Sequence, residues 1–170
     1  PAFPLTENDL SQLQTAAALY QGDFLAHFTI RDGREFEAWL LVTRERLRRL
    51  AVQAWQMLVR HFLLVGDYQA GIPYATRLAD LDPYSEEAHR HLMQLLARAG
   101  QRHAALQQYQ KCRQLLADDL GVLPLAETTA FYERLRRAGA IGRHNLPPAP
   151  TPFVGRTAER AALRRHLADP

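Results

Sequence analysis

A spacing of 34 residues governs the middle of this chain. Ala54 recurs as Ala88, Leu58 as Leu92, Phe62 as Leu96, Gly66 as Gly100 and Leu81 as Leu115, and Leu47 extends the last pair one period earlier. Small, apolar and turn residues returning in step at this distance describe a helix-turn-helix unit used twice, and a period of this length is the mark of a helical solenoid. Such a unit buries its apolar face only against its neighbours, so the stretch from Ala51 to Ala117 predicts an all-α stack whose open end needs a cap. A stack of this kind holds other molecules and does no covalent chemistry of its own.

Within the first copy, Trp55, Leu58, Phe62, Gly66, Asp67 and Tyr68, followed by Leu78, Leu81, Asp82 and Pro83, resemble a tetratricopeptide repeat. The resemblance implies a right-handed helical solenoid with a concave groove lined by the first helix of each repeat. Transferring the repeat position by position places Gln53, Gln56, Arg60, Glu87, Arg90, Gln94 and Arg98 on that groove. Arginines interleaved with glutamines suit an acidic or extended peptide, held by bidentate guanidinium contacts. The same pattern also describes a plain solvated helix face, and the groove could be filled by the chain's own first helix or its C-terminal linker.

Taken in order, residues 1–5 read as the remnant of a linker. Thr6 is placed to cap a helix whose first turn carries Glu7 and Asp9, with Leu10, Leu13, Ala17 and Tyr20 on one face. Gln21-Gly22-Asp23 stops it. Phe24 to Phe28 reads as a loop whose aromatics plug a gap between helices. Asp32 with Glu35 makes a capping-box-like start to the next helix.

From there to Val65 no Gly or Pro interrupts the chain, and Phe36, Leu40, Leu47, Leu50, Ala54 and Met57 keep helical spacing. One helix of roughly 30 residues, about 45 Å long, is expected. Its end is Gly66, in the left-handed cap position. Further helices follow from Tyr68 to about Asp80 with Pro73 near the start, from Ser85 to Gly100, and from Arg102 to Asp118. Leu120 to Pro124 is a turn, and Leu125, Thr128, Phe131, Tyr132 and Leu135 mark a capping helix ending at Gly139. Trp39, Trp55, Tyr68 and Tyr109 sit at packing positions of the pattern and read as core.

Past Gly139 the composition changes. Residues 140–152 contain four prolines between Leu146 and Pro152 and read as a semi-rigid linker, so the domain is bounded as 6–139. Phe153-Val154-Gly155-Arg156 then opens something new. With no initiating methionine, and with this motif close to its end, the sequence reads as an internal piece of a larger protein.

The formal charge of +3 lacks the excess of a dedicated nucleic-acid-binding domain. Lys111 is the only lysine among 21 basic residues, a bias that suits planar anionic partners or simply reflects genomic base composition. Arg44, Arg46, Arg48 and Arg49 concentrate on the long helix, where DNA phosphates, a neighbouring domain or water could meet them. The single Cys112 excludes an internal disulfide, fits a reducing, cytoplasmic setting and reads as a small core residue. No signal peptide or bilayer-length apolar run is evident, and no membrane role is expected. His89 and His91, two apart on a helix, point in different directions and make a poor metal pair, so no metal is expected. No nucleophile-base pair, metal cluster or phosphate loop suggests an enzyme.

The whole run resembles the bacterial transcriptional activator domain of the Streptomyces antibiotic regulatory protein family. The residues carrying this are Leu19 to Leu25, then Phe36, Trp39, Arg44 to Leu47 and Gly66-Asp67-Tyr68. The resemblance continues in Leu81 to Arg90, Leu106, Tyr109, Cys112, Arg113 and Leu120 to Pro124. It implies a regulatory, protein-interaction domain of a transcriptional activator, contacting a protein partner or a second copy of itself. DNA and RNA polymerase would be engaged only through the full-length protein, whose winged-helix DNA-binding domain does not occur in this sequence. Val154, Gly155 and Arg156 resemble the start of a signalling-ATPase domain, which implies ATP for the longer protein and no cofactor for this piece, since no phosphate-binding loop follows. The alternative is a partner-binding module of a sensor ATPase or cyclase-linked signalling protein that binds no DNA.

Overall fold

The computed structural model describes residues 3–28 and 33–141, and among these every regular element is a helix. They are α1 (Glu7–Leu19), α2 (Arg34–Val65), α3 (Tyr68–Leu81), α4 (Glu86–Arg98), α5 (Arg102–Leu120) and α6 (Ala126–Ile141). Helix α2 packs on α3, α3 on α4 and α4 on α5, while α1 lies against α2. Neighbour-on-neighbour packing of this kind is the solenoid that the 34-residue spacing predicts. Residues up to Arg137 form one compact unit. Of the rest, only the last turn of α6 is described, so the proline-rich segment and Val154, Gly155 and Arg156 lie outside the described residues.

The helix limits follow from local chemistry. The Thr6 hydroxyl accepts from the Asp9 amide at 3.2 Å, the Asp67 carboxylate from the Ala70 amide at 3.2 Å and the Ser85 hydroxyl from the Ala88 amide at 3.3 Å. Each satisfies an amide that a helix N-terminus leaves unpaired. Gly66, with φ of 84°, closes α2 by donating its N–H to the Phe62 carbonyl at 3.1 Å, in a conformation that a Cβ would strain. Gly33 is the N-cap of α2 and offers no side-chain bond, and Asp32, expected to open a capping box, lies outside the described residues. Helix α5 runs on to Leu120 and α6 to Ile141, slightly past the expected ends.

The core explains why the stack is tight. Leu58, Val59, Met93 and Leu95 are fully buried, with Trp55, Phe62, Leu78, Leu92 and Tyr109 around them. Burying each large side chain contributes about 1.5–3 kcal/mol. Alanines at the contacts, Ala17, Ala75, Ala79 and Ala105, are also buried and let the helix axes approach. Gly71 goes further: a Cβ there would stand 2.8 Å from Leu95 Cδ2 and 3.0 Å from Phe62 Cβ, so α3 passes between α2 and α4 with no room for a methyl group.

Helix α6 caps the far end through side chains. Tyr132 stacks on Tyr109 with ring centroids 4.1 Å apart, the hydroxyls of Tyr109 and Thr129 lie 3.2 Å apart, and Arg102 donates to the Leu135 carbonyl at 3.0 Å. Thr128 is fully buried on this face, whereas Leu125, expected to share it, is exposed. The Leu125 amide instead donates to the Glu86 carboxylate at 2.9 Å, tying the α5–α6 turn to the start of α4.

Three apolar expectations near the N-terminus are corrected. Trp39 is half exposed and not core, Leu50 faces outward, and Phe24 and Phe28 fill no interior gap. Phe24 meets Trp39 edge-on and Phe28 meets Phe36, forming an aromatic cluster on the outside of α2. Among the described residues, too little chain packs against this half of α2 to bury both its sides.

Candidate partner groove

A groove of about 450 Å³ lies between the middle of α2, the α3–α4 turn and the start of α4. Gln53 and Gln56 come from α2 and Glu87 and His91 from α4, so three of the seven residues expected on the concave face share one cleft. Arg48 and Arg49 also line it, which joins part of the basic segment to the groove. Arg48 donates to the Leu81 carbonyl at 2.9 Å, satisfying an acceptor at the C-terminus of α3. Arg49 stands 3.9 Å from Glu45 one turn away, a loose and exposed pair.

The lining is mixed in charge. Glu45, Asp82 and Glu87 stand against Arg48 and Arg49, and burial holds the His91 imidazole below the usual histidine range, so it contributes no charge near neutrality. A groove of this composition fits a polar, extended peptide better than a uniformly acidic one.

The other expected groove residues are spread out and occupied within the chain. Arg90 turns to α6, donating to Thr128 Oγ1 at 3.0 Å and pairing with Glu127 at 3.4 Å. Arg98 lies over the Tyr68 ring at 5.6 Å and donates to its hydroxyl at 3.2 Å. Arg60 covers the Phe3 ring at 4.2 Å, and Gln94 is half-buried. Of the remaining basic segment, Arg44 donates Nε to the Phe24 carbonyl at 2.7 Å and Nη2 to that of Leu25, pinning the loop after α1, while Arg46 stands exposed.

Two features had no signal in the sequence pattern. The first is His61, buried on α2, whose Nδ1 accepts from the Leu5 amide at 3.1 Å while Leu5 itself is buried. With Phe3 under Arg60, it fastens residues 3–5 to the second half of α2. The second is an apolar hollow of about 600 Å³ between the end of α1 and α2, walled by Leu19, Tyr20, Phe24, Leu47, Leu50 and Ala54.

His89 is fully buried, with Nε2 2.9 Å from the Pro83 carbonyl and Nδ1 2.6 Å from the Gln108 amide nitrogen. Both bonds are satisfied by the neutral tautomer protonated on Nε2. Cys112 is buried as expected, and burial pushes its thiol up to about 11. Among the described residues no three His, Cys, Asp or Glu side chains gather to hold a metal, and no helix is long and apolar enough to cross a membrane.

Comparison with known proteins matches this architecture to one family. The model of the bacterial transcriptional activator domain aligns with residues 6–136, from the cap of α1 into the last turns of α6. The chain is also similar to the regulatory protein AfsR of Streptomyces griseus, with 33% identity over 140 residues. That alignment takes in 74% of this chain and 14% of AfsR, so the chain spans a small part of that relative's length. No solved structure matches. With α1 to α5 and most of α6 inside one family alignment, the chain belongs to the bacterial transcriptional activator domain family.

Proposed function

We propose that this chain is the regulatory and protein-interaction domain of a transcriptional activator of the Streptomyces antibiotic regulatory protein type. The observation that carries the reading is the family alignment across all six helices, because a tetratricopeptide-like repeat alone would fit many scaffolds. In the longer protein the domain couples a DNA-binding domain to a signalling ATPase, with ATP bound there and not here. Val154, Gly155 and Arg156 would begin that ATPase.

The mechanism is positional. A protein segment seated between α2 and α4, against Gln53, Gln56 and Glu87, biases how α2 lies on its neighbours, and the attached domains move with it. Arg60, Arg90 and Arg98 lie outside this groove, held by Phe3, by Thr128 and Glu127, and by Tyr68, and Gln94 is not part of its lining. Self-association would place two DNA-binding domains on one operator, and polymerase would be met only through the assembled protein.

The test uses the full-length regulator carrying Gln56→Trp, which fills the groove. Promoter activation is expected to fall while DNA affinity holds, both measured on the same promoter fragment. Unchanged activation would overturn the role of the groove. A parent protein with no DNA binding at all would overturn the activator reading in favour of a partner-binding module in a signalling ATPase.

A further inference from the structure

The polar side chains of the groove between α2 and α4 divide into those already engaged within the chain and those that are not. Arg48 is held by the Leu81 carbonyl, next to Asp82, and Arg49 leans toward Glu45. Gln53 and Gln56 on α2 and Glu87 on α4 are exposed, and His91 is half-buried. None of these four side chains has a hydrogen-bond or ionic partner among the described residues. The glutamines of the second repeat differ: the amides of Gln101, Gln108 and Gln110 go to Gln69, His89 and Tyr132.

The charges are unequal as well. Three carboxylates, Glu45, Asp82 and Glu87, line the groove with two guanidiniums. With Arg49 beside Glu45 and Arg48 fixed next to Asp82, the charge left uncompensated is that of Glu87. Val52, Leu78, Leu81 and Ala88 supply an apolar floor between the walls. Glu45, Arg49, Val52 and Gln56 follow a four-three-four spacing and so share one stripe of α2. That stripe is about 16 Å long, which about five extended residues would span.

We propose that the groove takes an extended protein segment carrying one arginine beside an apolar residue, with the arginine on Glu87 and the apolar side chain on the floor between Val52 and Ala88. The inference rests on the reading, given above, that a protein segment seats here, and assigns its chemistry. A carboxamide both donates and accepts, so Gln53 and Gln56 can pair with peptide N–H and C=O groups whatever the segment's sequence. The Glu87 carboxylate can accept two parallel N–H bonds from a guanidinium, a geometry that lysine cannot supply. His91, kept uncharged near neutrality by burial, does not repel the cation. A glutamate at the same place would set two carboxylates against each other. Five residues bury less than a standard interface, so the contact is weak and transient.

The experiment titrates the 170-residue chain, labelled with nitrogen-15, with four blocked decapeptides of alanine and serine. Each has one leucine at its centre, followed by arginine, lysine, glutamine or glutamate. The arginine peptide is expected to shift the backbone amides of residues 49–56 and 87–91 and to bind about fivefold more tightly than the glutamine peptide, with the glutamate peptide weakest. Glu87→Gln should erase the arginine preference and leave the affinity for the glutamine peptide unchanged. Glu87→Arg should turn the preference toward the glutamate peptide. Glu87 is exposed, so both variants keep the fold, which the same amide spectrum checks. A preference for arginine that survives Glu87→Gln, a preference for glutamate, or no preference among the four overturns this assignment and leaves the groove a protein-binding site. Groove amides that stay unshifted by every peptide at millimolar concentration overturn the seated-segment reading as well, while the family alignment stands independently of either.

Discussion

The two halves of α2 are continuous in backbone and opposite in use. Between Arg34 and Leu50 only Leu40 is buried; between Ala51 and Val65, Ala51, Ala54, Trp55, Leu58, Val59, His61 and Phe62 all are. The second half lies in the repeat, covered by α1 and α3 and by residues 3–5. The first half meets mainly the short aromatic loop held by Arg44. Helical periodicity is thus satisfied throughout, but burial depends on how many neighbours the topology supplies. An apolar residue at the right spacing becomes core in one half and exposed surface in the other.

The sharpest break in that contrast is a pair of truncations. Leu58→Ala removes a fully buried side chain and should cost about 2–5 kcal/mol in urea unfolding, whereas Leu41→Ala should stay within about 0.5 kcal/mol. Equal effects would mean that the first half is packed in solution. Gly71→Ala tests how closely the deep half is gripped. With Leu95 and Phe62 closer than a Cβ tolerates, a loss of about 1–3 kcal/mol is expected, and a neutral result would show that α3 can shift away from α2.

A pH titration extends the contrast to the second repeat. Burial is the main reason the His89 imidazole sits below the usual histidine range; Lys111 lowers it further, while the Pro83 bond, Asp80 and Glu86 oppose the shift. The folded chain then binds this proton less readily than the unfolded chain. Its stability is complete above the ordinary value near 6.5 and declines as pH falls from there through the lower folded value. His91 acts in the same direction. Urea midpoints measured across that range should drop on acidification, and His89→Gln should flatten the slope. The smallest effect belongs to Arg44→Ala, which should speed amide exchange in residues 24–28 and leave the unfolding midpoint nearly unchanged, because the loop it holds is exposed.

Much of the fold was legible residue by residue. The caps at Thr6 and Ser85, the left-handed Gly66, the length of α2 and the burial of Trp55, Tyr109 and Cys112 all depend on chemistry within a few positions or on a repeat visible in the letters. The groove was legible in part. Gln53, Gln56 and Glu87 do share a cleft, but Arg90, Arg98 and Arg60 are claimed by Thr128, Tyr68 and Phe3, contacts that join positions 30 or more apart and leave no periodic trace. Trp39 was misplaced for the same reason, since spacing reports which residues share a face and never what stands opposite it.

The sequence by itself determined where helices begin and end and that two units of 34 residues stack, because propensity, capping and periodicity are local and repeating. Only the tertiary structure decided which faces find a neighbour. Gly71 sits where two side chains close over it, His61 accepts an amide from far upstream, and Leu41, Val42 and Leu50 in the first half of α2 stay exposed among the described residues. These outcomes follow from steric fit and from the number of helices present to pack, quantities set by the assembled chain as a whole.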